Sequence, residues 1–505
     1  MKRPEVHVVE AGQRLSRSLI WRLQRRFYAQ RGIAAFSQGT VPHYITSNPF
    51  IAKAYARVVL GYLRDLAPRL RPGQPVYLIE LGAGTGRFGF HFVKSLSALL
   101  AQSPLQGIRF CYVLTDFSPG SVAAWQVHPA LQPLVAAHQL DFAVFDAAAP
   151  DALALQGSGA VLSPGALENP LIVLANYVLD GIPQDAFRLQ DGQLYESLVT
   201  LTSFQPEPDL DAPGLLDRLD VLYEARPVHG DYYDDPACNR LLSTYARGPE
   251  EGVLLFPCAA LACLAYLRRL SGDRLLLLTG DKGDPTAEAR LPQSAPELVH
   301  HGSVSLMVNH HALGEYVRQA GGQVFTTTHR HAHLNVSAFV LDAHPAEHAE
   351  TRHAYGDAVQ TFGPDDWFLV TKILAGHLDG LALDQILALL RLGGSDHNLL
   401  AGCYAALLRC LPQASEPWQN EARQALAAVW QSYYHIGEKW DLPFHLGTLL
   451  VAMRCHREAA QYFCSSLTLY GPTVKTLDSL ARCHDSLGEA EAAQRCRAQA
   501  QQLTT

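Results

Sequence analysis

The chain has 505 residues and a formal net charge of −8, with 48% hydrophobic and 17% charged residues. This is a globular composition with length for about two to four domains and a large buried core. The charge balance argues against a general nucleic-acid binder; the longest apolar run, Gly252 to Leu267, is interrupted by Pro257, is too short to span a bilayer, and reads as a buried helix.

Residues 1–70 read as an N-terminal helical cap region. Arg14 to Arg31 carries six arginines and no acid, and Leu15, Leu19, Leu23 and Phe27 recur on one helical face. A transit peptide or membrane-surface anchor has this pattern. Glu5 and Glu10 precede it, however, and Trp21, Phe27 and Tyr28 suit docking on a core, so it is expected to be an integral first helix with a solvated arginine face.

Val76 to Leu81 is an apolar strand that carries Glu80 near its end, and it runs into a turn with Gly82, Gly84 and Gly86 before an amphipathic helix. Alternating glycines supply positive backbone torsions and let a ligand touch the main chain at a helix N-terminus. A dinucleotide fingerprint needs a further glycine where Arg87 stands. The next strand, Phe110 to Thr115, ends in Asp116, and Leu140 to Phe145 ends in Asp146. A fourth strand, Leu171 to Ala175, feeds Asn176-Tyr177-Val178-Leu179-Asp180-Gly181-Ile182-Pro183. Alternating strands and helices imply a doubly wound, mainly parallel sheet, and ligands of such sheets lie beyond the carboxyl ends of the strands. Asp146 and residues 176–183 are therefore expected around the same crevice as the glycine turn.

Arg274 to Leu278 is another buried strand, leaving through Gly280-Asp281-Lys282-Gly283, and helix Leu313 to Gln319 with strands near Val324 to Thr328 and Leu334 to Val340 completes the sheet. Residues 346–365 read as a linker between a domain at 71–345 and an all-helical domain at 366–505. In the latter, Leu446-Gly447, Leu450, Ala459, Phe463 and Pro472 fall near tetratricopeptide offsets, and Leu480-Ala481, His484, Gly488 and Ala493 form a weaker copy.

Ten cysteines without a Cys-x-x-Cys pair suit reduced thiols and a cytoplasmic location. His300-His301, His310-His311 and His329, His331 and His333 cluster in one stretch, and on a strand the last three would share a face. No carboxylate or cysteine with ligand spacing accompanies them, so no metal is expected.

Glu80, the glycine turn and Asp116 together resemble the class I S-adenosylmethionine (SAM) methyltransferases. The resemblance implies a Rossmann-like fold, SAM as cofactor, and a binding set of Glu80, Gly82, Gly84, Gly86, Asp116 and Asp146. In that superfamily the first acid helps hold the methionine end and the second grips the ribose hydroxyls, both charge-assisted bonds. Tyr44 to Ala52, Asn176 with Leu179 to Pro183, and the exit at Gly280 to Gly283 further resemble the MidA-type methyltransferases over roughly residues 20–345. The mitochondrial member of that family modifies an arginine of a respiratory complex I subunit during assembly. Here Tyr177 replaces the family's Glu, Gly181 its Ala and Lys282 its Tyr.

Methyl transfer is an in-line displacement in which the protein mainly holds nucleophile and methyl at attack distance. An arginine acceptor needs a carboxylate to orient its planar guanidinium, for which Asp180 and Asp185 are the candidates, with Asn176 able to bond substrate or cofactor. The expected activity is methylation of a protein side chain, arginine foremost, with the helical repeats recruiting the protein partner. A small-molecule methyltransferase whose C-terminal domain forms a homodimer or a lid, and a non-catalytic SAM-fold scaffold, are the alternatives. No nucleic-acid partner and no membrane span are expected.

Overall fold

The computed structural model describes residues 5–248, 251–284, 294–300, 303–342 and 348–504. His301 and residues 346 and 347 of the expected linker lie outside this set. The chain divides into two compact units, Met1–Ser47 with Ile51–Asp365, and Asn48–Phe50 with Asp366–Thr505.

The first unit is built on a seven-stranded sheet: β1 (Val76–Leu81), β2 (Phe110–Asp116), β3 (Leu140–Val144), β4 (Leu171–Asn176), β5 (Leu275–Asp281), β6 (Gln323–Phe325) and β7 (Asn335–Leu341). Their spatial order is β6-β7-β5-β4-β1-β2-β3, and only β7 runs against its neighbours. This is the mainly parallel, Rossmann-like α/β fold expected from the sequence. Strands covered on both faces read as unbroken apolar runs. Leu171 to Ala175 of β4 accordingly has no exposed residue. Helices α1 (Leu19–Arg31) and α2 (Arg87–Ala101) frame the carboxyl ends of the strands that concern the site.

A second sheet, all antiparallel, takes His7–Arg14, Gln193–Ser203, Asp185–Gln190 and Gly252–Phe256 in that order, with Asp220–Pro227 also pairing with Gln193–Ser203. It corrects two expectations. The run from Gly252 is not one helix: its first five residues pair with Asp185–Gln190, and the helix Cys258–Ser271 begins only after Pro257. Proline lacks the N–H to continue a ladder, and its fixed φ suits a helix start. His7–Arg14 is likewise extended, not helical, because it pairs with Gln193–Ser203, and a short 3-10 turn, Leu15–Arg17, lies between it and α1.

Residues read as linker are partly helical, at Ala349–Tyr355 and on through Gly356–Thr361. The Asp65 carboxylate accepts from the backbone N–H groups of Glu350 and Thr351 at 3.0 and 2.8 Å, capping this helix from elsewhere in the chain. A cap supplied over 285 positions leaves no local signature.

The second unit is helical. Its last four helices, Leu442–Ala452, His456–Tyr470, Val474–Ser486 and Ala490–Gln502, pack consecutively with Leu446, Leu450, Ala459, Phe463, Leu480, Ala481 and Ala493 buried. A Cβ at Gly447 would stand 2.7 Å from the Phe463 ring, so glycine there sets how closely the first two helices approach.

Candidate functional site

Gly82, Gly84 and Gly86 have φ of +57°, +54° and +77°, left-handed conformations that glycine adopts at no steric cost. The turn is braced by β2 and its following helix. Ala83 N–H donates to Thr115 O at 2.9 Å, Thr115 Oγ1 to Glu80 O at 2.7 Å, and Trp125 Nε1 to Gly84 O at 3.1 Å. The Asp116 carboxylate accepts from Ser118 N–H at 2.9 Å and from the backbone of Gly84. Burial pushes its pKa up to about 6, and those donors hold it from rising further.

Glu80 takes a different place from Asp116. Its carboxyl lies under α2, accepting from Tyr112 OH at 2.9 Å, and a Cβ at Gly89 would meet its Oε2 at 2.8 Å. Burial pushes its pKa up to about 8, with the tyrosine bond opposing. Glu80 thus ties strand to helix beneath the turn.

Gly82, Asp146, Val178 and Gly181 to Pro183 do come together, as one side of a mainly apolar pocket. The other side is α1, through Trp21, Gln24, Arg25 and Tyr28. Arg25 Nη1 is 2.7 Å from Asp146 Oδ2, and its guanidinium lies 4.5 Å above the Phe117 ring.

At the exit of β4, Asn176 Oδ1 accepts from Tyr55 OH at 2.8 Å, while its buried Nδ2 has no partner. Tyr177 has φ of +49°, a strained conformation for a bulky residue, and its OH donates to His333 O at 3.0 Å. Asp180 is 7% exposed and pairs with Asp281, which is fully buried: Asp180 N–H approaches Asp281 Oδ1 at 3.4 Å, and Thr279 OH donates to the other oxygen at 3.1 Å. Burial raises both pKa values; the like charge of Asp180 adds to the rise of Asp281, and Lys282 opposes that of Asp180. Sequence reading did not select Asp281 as a site residue. Its signal was there, an acid ending a buried strand beside the strand whose exit leads to Asp180.

Asp185 does not join this pair. It opens a strand of the second sheet, is 1% exposed, and accepts from Ser16 N–H at 3.1 Å and Tyr233 OH at 2.7 Å. Nor do His329, His331 and His333 share a strand face, since β7 begins at Asn335. Asp365 gathers that loop by accepting from the N–H groups of Ala332, His333 and Leu334, and His331 Nε2 lies 2.8 Å from Thr327 Oγ1. Among the described residues, no group of three or more His, Cys, Asp or Glu is placed to hold a metal ion, and no helix is long and apolar enough to cross a membrane.

A nucleoside-bearing cofactor can be tested against these groups. Asp116 offers a buried acceptor beside the turn, Phe117 a flat face, Asp146 a second acceptor, and Asn176 an unmet donor. Acceptors for hydroxyls and an amine, an aromatic platform and a glycine backbone fit such a ligand.

Fold and site together define a Rossmann-like α/β unit with an acid-lined glycine-turn crevice. No protein-family model matches the chain. A non-reducing polyketide synthase, ausA, from Penicillium brasilianum is 32% identical over 78 residues, 15% of this chain and only 3% of that protein's length. Two solved structures from Burkholderia thailandensis are each 16% identical with a TM-score of 0.39. One, an uncharacterized ACR, COG1565 superfamily protein, aligns over 65% of this chain and 89% of its own. The other, described as a COG1565 superfamily member and "likely methyl transferase" bound to S-adenosyl-homocysteine, aligns over 66% and 95%.

Proposed function

We propose that this protein is a SAM-dependent methyltransferase acting on a protein side chain, arginine foremost. The observation that carries the cofactor assignment is the buried Asp116 carboxylate, bonded by the backbone of Gly84 in a turn of three left-handed glycines. In this reading Asp116 accepts from the ribose hydroxyls, Phe117 and Asp146 take the base, and Gly82 and Gly84 approach the ligand with backbone alone. Glu80 acts through the helix it anchors. When bound, the cofactor supplies an electrophilic methyl group on sulfur.

The acceptor is assigned to Asp180, backed by Asp281. A carboxylate of raised basicity orients a guanidinium and receives the proton its nitrogen loses as the new N–C bond forms and the S–C bond breaks. Asn176 Nδ2 and the Tyr177 ring border the same exit. The consecutive C-terminal helices suit a tetratricopeptide-like platform for the protein partner. Burial of Asp180 and Asp281 favours, as a second reading, a small acceptor that passes beneath the cap.

Incubating the purified chain with methyl-labelled SAM and, separately, host lysate and host metabolite extract tests these readings. Label in a polypeptide supports the first and label only in small molecules the second. Binding of S-adenosylhomocysteine with label in neither would indicate a scaffold.

A further inference from the structure

We propose that Arg25 is a built-in competitor for the nucleobase subsite, so that the cofactor binds only when α1 withdraws this side chain. The inference rests on the cofactor assignment above. Arg25 makes two contacts at once: a 2.7 Å ion pair to Asp146 and a stacked position 4.5 Å over Phe117. Phe117 directly follows the acid assigned to the ribose, and Asp146 lies two residues beyond the end of the neighbouring strand β3. An aminopurine needs what a guanidinium needs there: a π face to lie on, and a carboxylate to receive N–H groups from its edge. The two cannot share the position.

The rest of the cap agrees with a docked but releasable state. The pocket between α1 and the strand ends holds about 60 Å³, against the about 300 Å³ at the small end of small-molecule sites. The Phe36 ring stands 3.2 Å from where a Cβ on Gly84 would be, and Val178 2.7 Å from that of Gly82, so both faces of the turn carry apolar side chains of the chain itself. Gln24, beside Arg25 and 3% exposed, donates through Nε2 to Val304 O at 2.7 Å, which leaves its buried Oε1 without a partner. A buried acceptor left unmet raises the free energy of the docked state. The Arg25 side chain is 44% exposed and Asp146 25%, so the ion pair is a modest contact that a ligand can displace.

Calorimetric titration of the full chain with S-adenosylhomocysteine tests this, using wild type, Arg25→Ala and Arg25→Met, the last keeping the aliphatic stem that covers α1's neighbours. Removing a half-exposed ion pair and a cation–π contact should tighten binding roughly tenfold in both variants. Raising ionic strength should tighten binding by wild type, by weakening its internal pair, and leave the variants unchanged. Equal or weaker binding by both variants overturns the inference while leaving the cofactor assignment standing. Absence of binding by all three overturns that assignment itself, and the competitor role with it.

Discussion

Asp116 and Glu80 are both acids at the ends of neighbouring strands, yet their surroundings give them different work. Asp116, raised to about 6, is ionised at neutral pH and can accept two hydroxyl hydrogens. Binding of S-adenosylhomocysteine should therefore weaken as pH falls through 6, and Asp116→Asn should bind about 10- to 100-fold more weakly with that pH dependence gone, the range expected for charge-assisted bonds. Titrations across this window check it. Glu80, raised to about 8 from an ordinary 4.5, keeps in the folded state a proton that the unfolded chain loses between those values. Its stabilising contribution is complete below 4.5 and declines as pH rises towards 8. The melting temperature of wild type should fall across that interval more steeply than that of Glu80→Gln; superimposable profiles would remove Glu80 as the cause.

The glycine turn shows what one element needs from its neighbours. Gly89 lies within α2, where alanine would ordinarily gain about 1 kcal/mol of helix propensity. A Cβ there would stand 2.6 Å from Leu114, 2.8 Å from Glu80 and 2.8 Å from Tyr112. Overpacking of that kind costs about 1–3 kcal/mol and outweighs the gain, so Gly89→Ala should lower the denaturation midpoint of the first unit. The same elements mark how far the sequence could be read. β1 to β5 and the turn were legible because buried parallel strands are unbroken apolar runs and their glycines are spaced for one purpose. That Asp146, Val178 and Gly181 to Pro183 line the crevice followed from where strands end; Asn176, Tyr177, Leu179 and Asp180 are not among its lining residues. The second sheet was not legible, since His7–Arg14 finds its partner near residue 200 and alternates no clear apolar face. Asp185 was indistinguishable from Asp180 by position after β4, because only the pairing of its strand with Gly252–Phe256 turns it away from the crevice. The strained φ of Tyr177 likewise has no sequence mark, as the residue is held by its N–H donating to Gly280 O and its OH donating to His333 O, both distant in the chain.

At the scale of the molecule, each of the two units encloses its own apolar cluster. One gathers around the sheet strands and the helix Cys258–Ser271, the other around Trp367, Leu400 and Phe463. The second unit also includes Asn48–Phe50, whose Phe50 stacks on the fully buried Trp367 with ring centroids 5.1 Å apart. Units with separate cores are expected to unfold in separable transitions, and a ligand raises only the transition of the unit that binds it. Scanning calorimetry should therefore resolve two transitions, with S-adenosylhomocysteine moving that of the first unit alone. Phe50→Ala removes a part-buried ring and its stacking, a loss of about 1–3 kcal/mol, and should lower the second transition without changing the ligand-induced shift of the first. Both transitions moving together, with ligand or with the substitution, would mean that the helical unit folds as one with the crevice, and its assignment as an independent partner platform would fall.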